Sequence, residues 1–412
     1  MPRAEDIPGC PTKPTPARAN ERSYEIELIT PMVGGGATAG KVDPDFPIRP
    51  TAIRGHLRHW WRLIRGHSLG DGMWRREEEI FGSTDFPSPV TVIVSPVSKR
   101  TTLYPIRDIA PTSTRGYVLF PSIQNHEKNR DENYDLLKEG YQFKVHLAVP
   151  SLEQLNKRRV AQNRSRKPSE RLPNQVVPIH DDLQDAVNAW LLFGGLGSRT
   201  RRGCGALRLI KGTLPNLKDI LQWMPQEFRV YQSDRKFSHL DAWERTIELL
   251  KKFRQQMPAR RGEPRRKFPE AETLRRISGW RGRRHRAVPE SELPSGFPRA
   301  ELGLPIVFQF KDGSGPDGKT ALPHGLDSER KQLQRLASPI ILKPIPVSAT
   351  ESIPTLIVLR RPTGLTVDVE GALSQPVTGP QFAAYPNSPL SGTTGSAIEA
   401  FINFTGFTEV TR

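Results

Sequence analysis

Residues 181 to 210 constrain the fold most tightly. Asp181 to Phe193 has helical periodicity, with Leu183, Val187, Trp190 and Leu191 on one face, and Ala206 to Ile210 has the pattern of a short strand. Between them, residues 193 to 205 read Phe-Gly-Gly-Leu-Gly-Ser-Arg-Thr-Arg-Arg-Gly-Cys-Gly. Glycine lets a backbone approach another group closely and reach positive φ. Arginine supplies a fixed-charge fork matched to phosphate oxygens. Gly194, Gly195, Gly197, Ser198, Arg199, Arg201, Arg202 and Gly203 are therefore read as a clamp for an anionic backbone, RNA being the leading candidate. The competing reading is a flexible turn with solvated arginines.

Upstream, Tyr24 to Thr30 alternates like a strand, and residues 31 to 50 form a loop rich in glycine and proline. Thr51 to Arg65 predicts a helix whose apolar stripe is Ile53, Leu57, Trp60, Trp61 and Ile64. A second stripe, Arg54, Arg58, Arg62 and Arg65, lies about 100° around the same helix. Val90 to Val97 and Tyr141 to Val149 are further strands. An excursion between them has turn chemistry at Pro111 and Pro121 and charged residues from His126 to Asp135. Residues 153 to 171, polar and basic, are expected to form a mobile loop. The order β-α-β-β-α-β is that of a ferredoxin-like split βαβ unit, the plan shared by RNA-recognition domains.

A second unit is expected from about residue 215. Phe228 to Gln232 predicts a strand. Leu240 to Met257 predicts a helix that buries Trp243, Ile247, Leu250 and Phe253, or the nearby Leu249. Leu304 to Phe310, Pro339 to Ile345 and Thr355 to Leu359 predict strands, and Ala397 to Phe404 a short helix. The fold class is thus α+β, with tandem ferredoxin-like (RRM-like) βαββαβ domains joined by long loops. The expected division is a disordered leader over 1–20, an amino-terminal domain over 21–214 and a carboxy-terminal domain over 215–412. The latter holds an arginine-rich insert at about 258–300.

The formal net charge of +17 favours polyanionic partners. No apolar run is long enough to span a bilayer, and neither a wide amphipathic face nor a lipidation signal marks a membrane-bound chain. The proline-rich start lacks the apolar run of a secretory signal. Only Cys10 and Cys204 are present, so cysteine builds neither a disulfide framework nor a four-ligand zinc cluster, and a reducing cytoplasm is expected. No metal, cofactor or small-molecule substrate is expected.

Other candidate residues have plainer roles open to them as well. Gly35 to Lys41 has the start of a P-loop, but Val42 replaces the required hydroxyl residue. Pro44, Pro47 and Pro50 then follow where a helix should open. Lys41 is read instead as a point charge near an RNA backbone. Asp43 and Asp45 are either ordinary turn residues or carboxylates poised beside a 2′-hydroxyl or metal. His56 titrates in a range suited to general base chemistry, but no second catalytic group stands out. It and neighbouring His59 are read as RNA contacts or packing residues. Arg54, Arg58 and Arg62 have no acid at i±4, which favours RNA over a salt-bridged surface. Trp280 lies among arginines and is positioned to stack a base, in a stretch whose composition equally predicts disorder.

Two segments carry a family resemblance. Ile48-Arg49-Pro50-Thr51-Ala52-Ile53-Arg54-Gly55-His56-Leu57-Arg58-His59-Trp60-Trp61-Arg62 resembles the first-helix signature of the RAMP superfamily of CRISPR proteins, and 194–205 resembles its glycine-rich signature. The Ile-Arg-Gly followed by paired tryptophans is most similar to the first subunit of the type III-B effector, the Cmr complex. Short motifs at 79–83, 116–120 and 337–344 fit the same subunit. The resemblance covers roughly 24–210, with a patch over 330–360. It implies tandem ferredoxin-like domains and a non-catalytic subunit capping a ribonucleoprotein near the 3′ end of its guide RNA. Guide RNA, target RNA and neighbouring RAMP subunits would be its partners. The alternative it also implies is an endoribonuclease, cutting target RNA through Asp43 or Asp45 or processing repeat RNA through His56.

Overall fold

A computed structural model describes residues 21–128, 134–255, 268–281, 288–308, 310, 315–316, 319–324, 334–361, 363–369 and 372–412. The leader, residues 258–267 and residues 282–287 of the arginine-rich insert lie outside the described residues.

The first sheet is built from β1 (Glu21–Leu28), β2 (Thr91–Pro96), β3 (Gln142–Ala148) and β4 (Leu207–Leu209). Its spatial order is β2-β3-β1-β4, every neighbouring pair antiparallel. Two helices cross between the strands, α1 (Pro50–Ile64) after β1 and α2 (His180–Phe193) after β3. This is the ferredoxin-like arrangement expected from the alternation of strand and helix patterns. Proline in the first turn of α1 fits its start, where the missing N–H has no intrahelical partner to lose. Ile53, Leu57, Trp60, Trp61 and Ile64 are buried, and β3 buries Phe143, Val145 and Leu147 in strict alternation.

The second unit repeats the plan with β5 (Arg229–Gln232), α3 (His239–Gln255), β6 (Ile340–Pro346), β7 (Glu351–Val358), α4 (Ala397–Thr405) and β8 (Thr408–Glu409). The order β6-β7-β5-β8 is again wholly antiparallel and matches that of the first sheet. Trp243, Ile247, Leu250 and Phe253 of α3 are buried as their spacing requires.

Three expectations are corrected. Leu304 to Phe310 does not join the second sheet. Ile306–Val307 pairs with Thr320–Pro323, which pairs with Thr366–Val369 and through it with Ala372–Pro376. Two long excursions, one between α3 and β6 and one between β7 and α4, thus meet in a separate sheet of four strands. Its separate core includes Leu274, Phe297, Phe308, Val367 and Val377. Residues 153 to 171 are not one loop, because Leu152–Ser165 is a helix. Ser151 and Gln154 form a reciprocal capping box at its start, and buried Arg159 pairs with Glu79 at 2.6 Å. Polar composition there reflects tertiary ion pairing. Finally, the helix Thr114–Lys128 runs through Pro121, where a turn was expected.

Candidate nucleic-acid interface

The glycine-arginine segment lies in the seam between the two ferredoxin-like units. α2 ends with the Gly194 amide bonded to the Trp190 carbonyl at 2.8 Å. A Cβ on Gly194 would lie 2.6 Å from the indoles of both Trp190 and Trp60, so glycine is what allows α1 and α2 to close on each other. The chain is then stitched to residues 29–33. Ser198 N–H donates to the Val33 carbonyl at 2.7 Å, Gly205 N–H to Pro31 at 2.9 Å, and the Thr30 hydroxyl to the Gly203 carbonyl at 2.6 Å.

On its other side the segment meets the second unit. Gly203 has φ +76°, and a Cβ there would approach Trp243 to 2.6 Å and the Leu342 carbonyl to 2.7 Å. The Trp243 indole N–H donates to the Arg202 carbonyl at 2.7 Å. Lys343, fully buried in β6, donates to the Gly194 carbonyl at 2.8 Å. Burial brings Lys343 down to about 7.

This packing changes the reading of several residues. Gly194, Gly195 and Gly203 are buried, so they do not present backbone to a ligand. Their small size serves close packing of helices and strands. Arg202 donates to Ser338 Oγ at 3.2 Å and the Ile340 carbonyl at 3.4 Å, tying the loop to β6. Burial, with Arg254 nearby, lowers it to about 10, which leaves it cationic at neutral pH. Gly197 is half-buried against Val33, while Ser198 and Arg199 are exposed. Arg199 adopts a left-handed φ of 61° without being glycine. Such a conformation costs on the order of 1 kcal/mol and is held here by the surrounding seam.

Arg201 reaches the Ser338 carbonyl and also lines an open cleft of about 400 Å³ with Arg360, Arg361 and Thr363. Arg361 pairs with Glu399, whereas Arg360 is exposed and has no ion pair among the described residues. Arg199, exposed at its rim but desolvated along part of its side chain, has its pKa lowered first by that desolvation and then by Arg335, which is exposed at the same edge. Burial also lowers Arg201. Cation density of this kind, with a carboxylate paired, among the described residues, only to Arg361 of these arginines, fits a polyanion. Arg335, Arg360 and Arg361 escaped the sequence reading. Their only signal was a paired arginine after a strand and one arginine before the 337–344 motif.

α1 approaches this cleft at its middle. His59 keeps an exposed edge while part of its ring is desolvated. That desolvation, then the charges of Arg201 and Arg62, hold its pKa down, so the first-helix signature lies within electrostatic range of the glycine-arginine segment. Arg54 does not join them. It lies about 140° around the helix from His59, donating to the Val90 carbonyl at 3.2 Å with its Nε buried and unpartnered. Arg58 and Arg62 are salt-bridged after all. Glu77, 1% exposed on the helix Met73–Phe81, accepts from both, at 2.5 and 2.6 Å for Arg62. The missing i±4 acid is supplied by another helix. His56 stacks on Trp190 with 6.4 Å between ring centroids, and burial followed by repulsion from His59 lowers its pKa to about 4. It is a neutral, half-buried packing residue at neutral pH, and a pKa this low makes it a weak base.

In the loop after β1, Asp43 Oδ1 accepts from the amides of Asp45 and Phe46 at 3.0 Å each, an Asx turn that occupies this carboxylate. Lys41 lies over the Tyr134 ring at 5.6 Å. Trp280 follows the helix Glu270–Ile277, whose Leu274 belongs to the third core, and its ring lies beneath the Arg275 guanidinium at 5.8 Å. It is not among the residues that meet at the seam cleft. Among the described residues, no group of three or more histidines, cysteines, aspartates or glutamates is placed to hold a metal ion, and no helix is long and apolar enough to cross a membrane.

Residues 25–208 match the family model of the RAMP superfamily. A curated relative, CRISPR system Cmr subunit Cmr1-1 of Pyrococcus furiosus, is 26% identical over 205 residues, which is 48% of this chain and 50% of the relative. The chain therefore matches about half the length of that relative. The apo crystal structure of Cmr1 from Pyrococcus furiosus aligns with 83% of this chain and 88% of its own, at 16% identity and a TM-score of 0.49. A chain of the type III-B Cmr-beta complex bound to cognate target RNA aligns with 87% of this chain and 96% of its own, at 12% identity and a TM-score of 0.40.

Proposed function

Starting from a chain that carries a RAMP-superfamily segment over residues 25–208 and resembles the first subunit of the type III-B CRISPR effector, we propose that it is a non-catalytic RNA-binding subunit of such a ribonucleoprotein. In this reading it caps the particle near the 3′ end of the guide RNA and helps to capture target RNA beside other RAMP subunits. The observation that carries the reading is the cationic cleft at the seam, lined by Arg201 from the first ferredoxin-like unit and Arg360 and Arg361 from the second, with Arg199 and Arg335 within electrostatic range of each other next to it along the chain. Guanidinium groups stay charged at any physiological pH and bind phosphate in a bidentate fork. Affinity then comes from phosphate contacts, and base pairing between guide and target supplies sequence selection.

The test is RNA binding by an Arg199→Ala/Arg201→Ala variant across a salt titration. Arg202 is left in place because it braces the seam. The expected outcome is weaker binding and a salt slope shallower by about 0.7 for each single-strand phosphate no longer neutralised. Unchanged affinity and slope in a folded variant would refute the assignment.

A further inference from the structure

We propose a second nucleotide site on the carboxy-terminal unit, one that takes the base and phosphate of a single nucleotide of single-stranded RNA. It rests on the reading of the chain as RNA-binding. The site is a cleft of about 240 Å³ between α3 and the connection from β5, lined by Arg235, Phe237, Arg245, Leu249, Lys252 and Phe407. That volume is below the ~300–1,000 Å³ of pockets enclosing a drug-sized ligand, so it suits one flat fragment.

Its chemistry is divided. Leu249, Pro354 and Phe407 provide an apolar floor, while Arg235 and Arg245 stand at an exposed rim. Both guanidiniums lie over one ring, Arg245 at 4.2 Å and Arg235 at 5.7 Å from the Phe237 centroid. Phe237 is fixed by pairing with Ser352 of β7. Neither arginine has an ion pair or a side-chain hydrogen bond among the described residues, so two preoriented forks are left for an anion. The one carboxylate in the cleft, Glu248, pairs with Lys252 at 2.8 Å. A ligand that answers both halves has a planar body and an anionic group. A nucleotide has both, and base stacking with phosphate contact is how sequence-tolerant single-strand binding is built. The Arg235 loop joins the first strand and first helix of its unit, the same topological position as the Lys41 loop in the first unit.

The experiment compares binding of a single-stranded RNA oligonucleotide by the full chain and by Arg235→Ala/Arg245→Ala, over a salt titration. Both positions are exposed, and a thermal melt matching the parent verifies folding. The expected result is about tenfold weaker binding with a slope shallower by about 0.7 per phosphate left unneutralised. Affinity and slope equal to the parent would overturn the proposal while leaving the seam reading in place, because the Arg199 and Arg201 variants report on the seam separately. Failure of the parent chain to bind RNA at all would overturn both. A parallel arm with uridine 5′-monophosphate separates a free nucleotide from a strand. Loss of monophosphate binding without loss of RNA binding would overturn the assignment to RNA.

Discussion

Replacing Glu77 with glutamine tests whether the basic stripe of α1 belongs to the fold. Glu77 is 1% exposed and holds Arg58 and Arg62 through hydrogen bonds to both carboxylate oxygens. Burial alone would raise its pKa, but hydrogen bonds from Arg62 and Arg58 outweigh burial and hold it below the ordinary carboxylate value. Removing one partner of a fully buried ion pair costs about 3–5 kcal/mol. Here the arginine side chains are 39% and 40% exposed and can be rehydrated, which brings the expected loss to about 2 kcal/mol. That corresponds to a fall in melting temperature on the order of 5 °C for a unit of this size. The pH dependence has a definite sign. Because the folded pKa is depressed, the contribution is complete above the unfolded value of about 4.3 and is lost as pH falls through the folded value. The gap between parent and Glu77→Gln in a thermal melt should therefore be widest near neutrality and narrow with acidification. RNA affinity should rise, because the carboxylate no longer competes with phosphate for two guanidiniums. A variant that melts with the parent, or a gap that does not change with pH, would refute the clamp.

The seam supports three further predictions. Gly203→Ala should lose about 3 kcal/mol, combining a left-handed residue with approaches of 2.6 and 2.7 Å to Trp243 and the Leu342 carbonyl; a denaturant melt measures it, and a loss below about 1 kcal/mol would contradict the packing. Lys343 is at about 7 when folded and about 10.4 when unfolded. Between those values the unfolded chain binds the extra proton, so the parent should gain stability over Lys343→Met as pH rises from 7 to 9, by up to about 1.4 kcal/mol per unit. A gap between the two that stays constant over this range would show that Lys343 keeps its charge throughout. Finally, with His56 at about 4 and His59 also depressed, neither ring is predominantly an imidazolium at neutral pH. RNA affinity should be flat from about pH 7 to 8, and an acid-side increase in that range abolished by His56→Gln or His59→Gln would place an imidazolium at the RNA.

The amino-acid sequence by itself determined the four strands and two crossing helices of the first sheet and their order, but not the helices Met73–Phe81, Thr114–Lys128 and Leu152–Ser165. Apolar residues at helical spacing in α1 and at alternate positions in β3 record burial directly, because a periodic element can hide only one face. It also located the glycine-arginine segment, but not what each residue there does. Gly194 and Gly203 look like ligand-facing glycines until Trp60, Trp190 and Trp243 are seen packed on them. Arg58 and Arg62 look unpaired until Glu77 arrives from a different helix, and Arg360 and Arg361 enter the cleft from more than 150 residues away. The third sheet was hidden for the same reason, since its strands come from two excursions separated by β6 and β7. Local pattern specifies which face of an element is buried. Which distant surface covers that face, and which charges meet there, is decided only when the chain closes, because pairing energies depend on separation in space and not along the sequence.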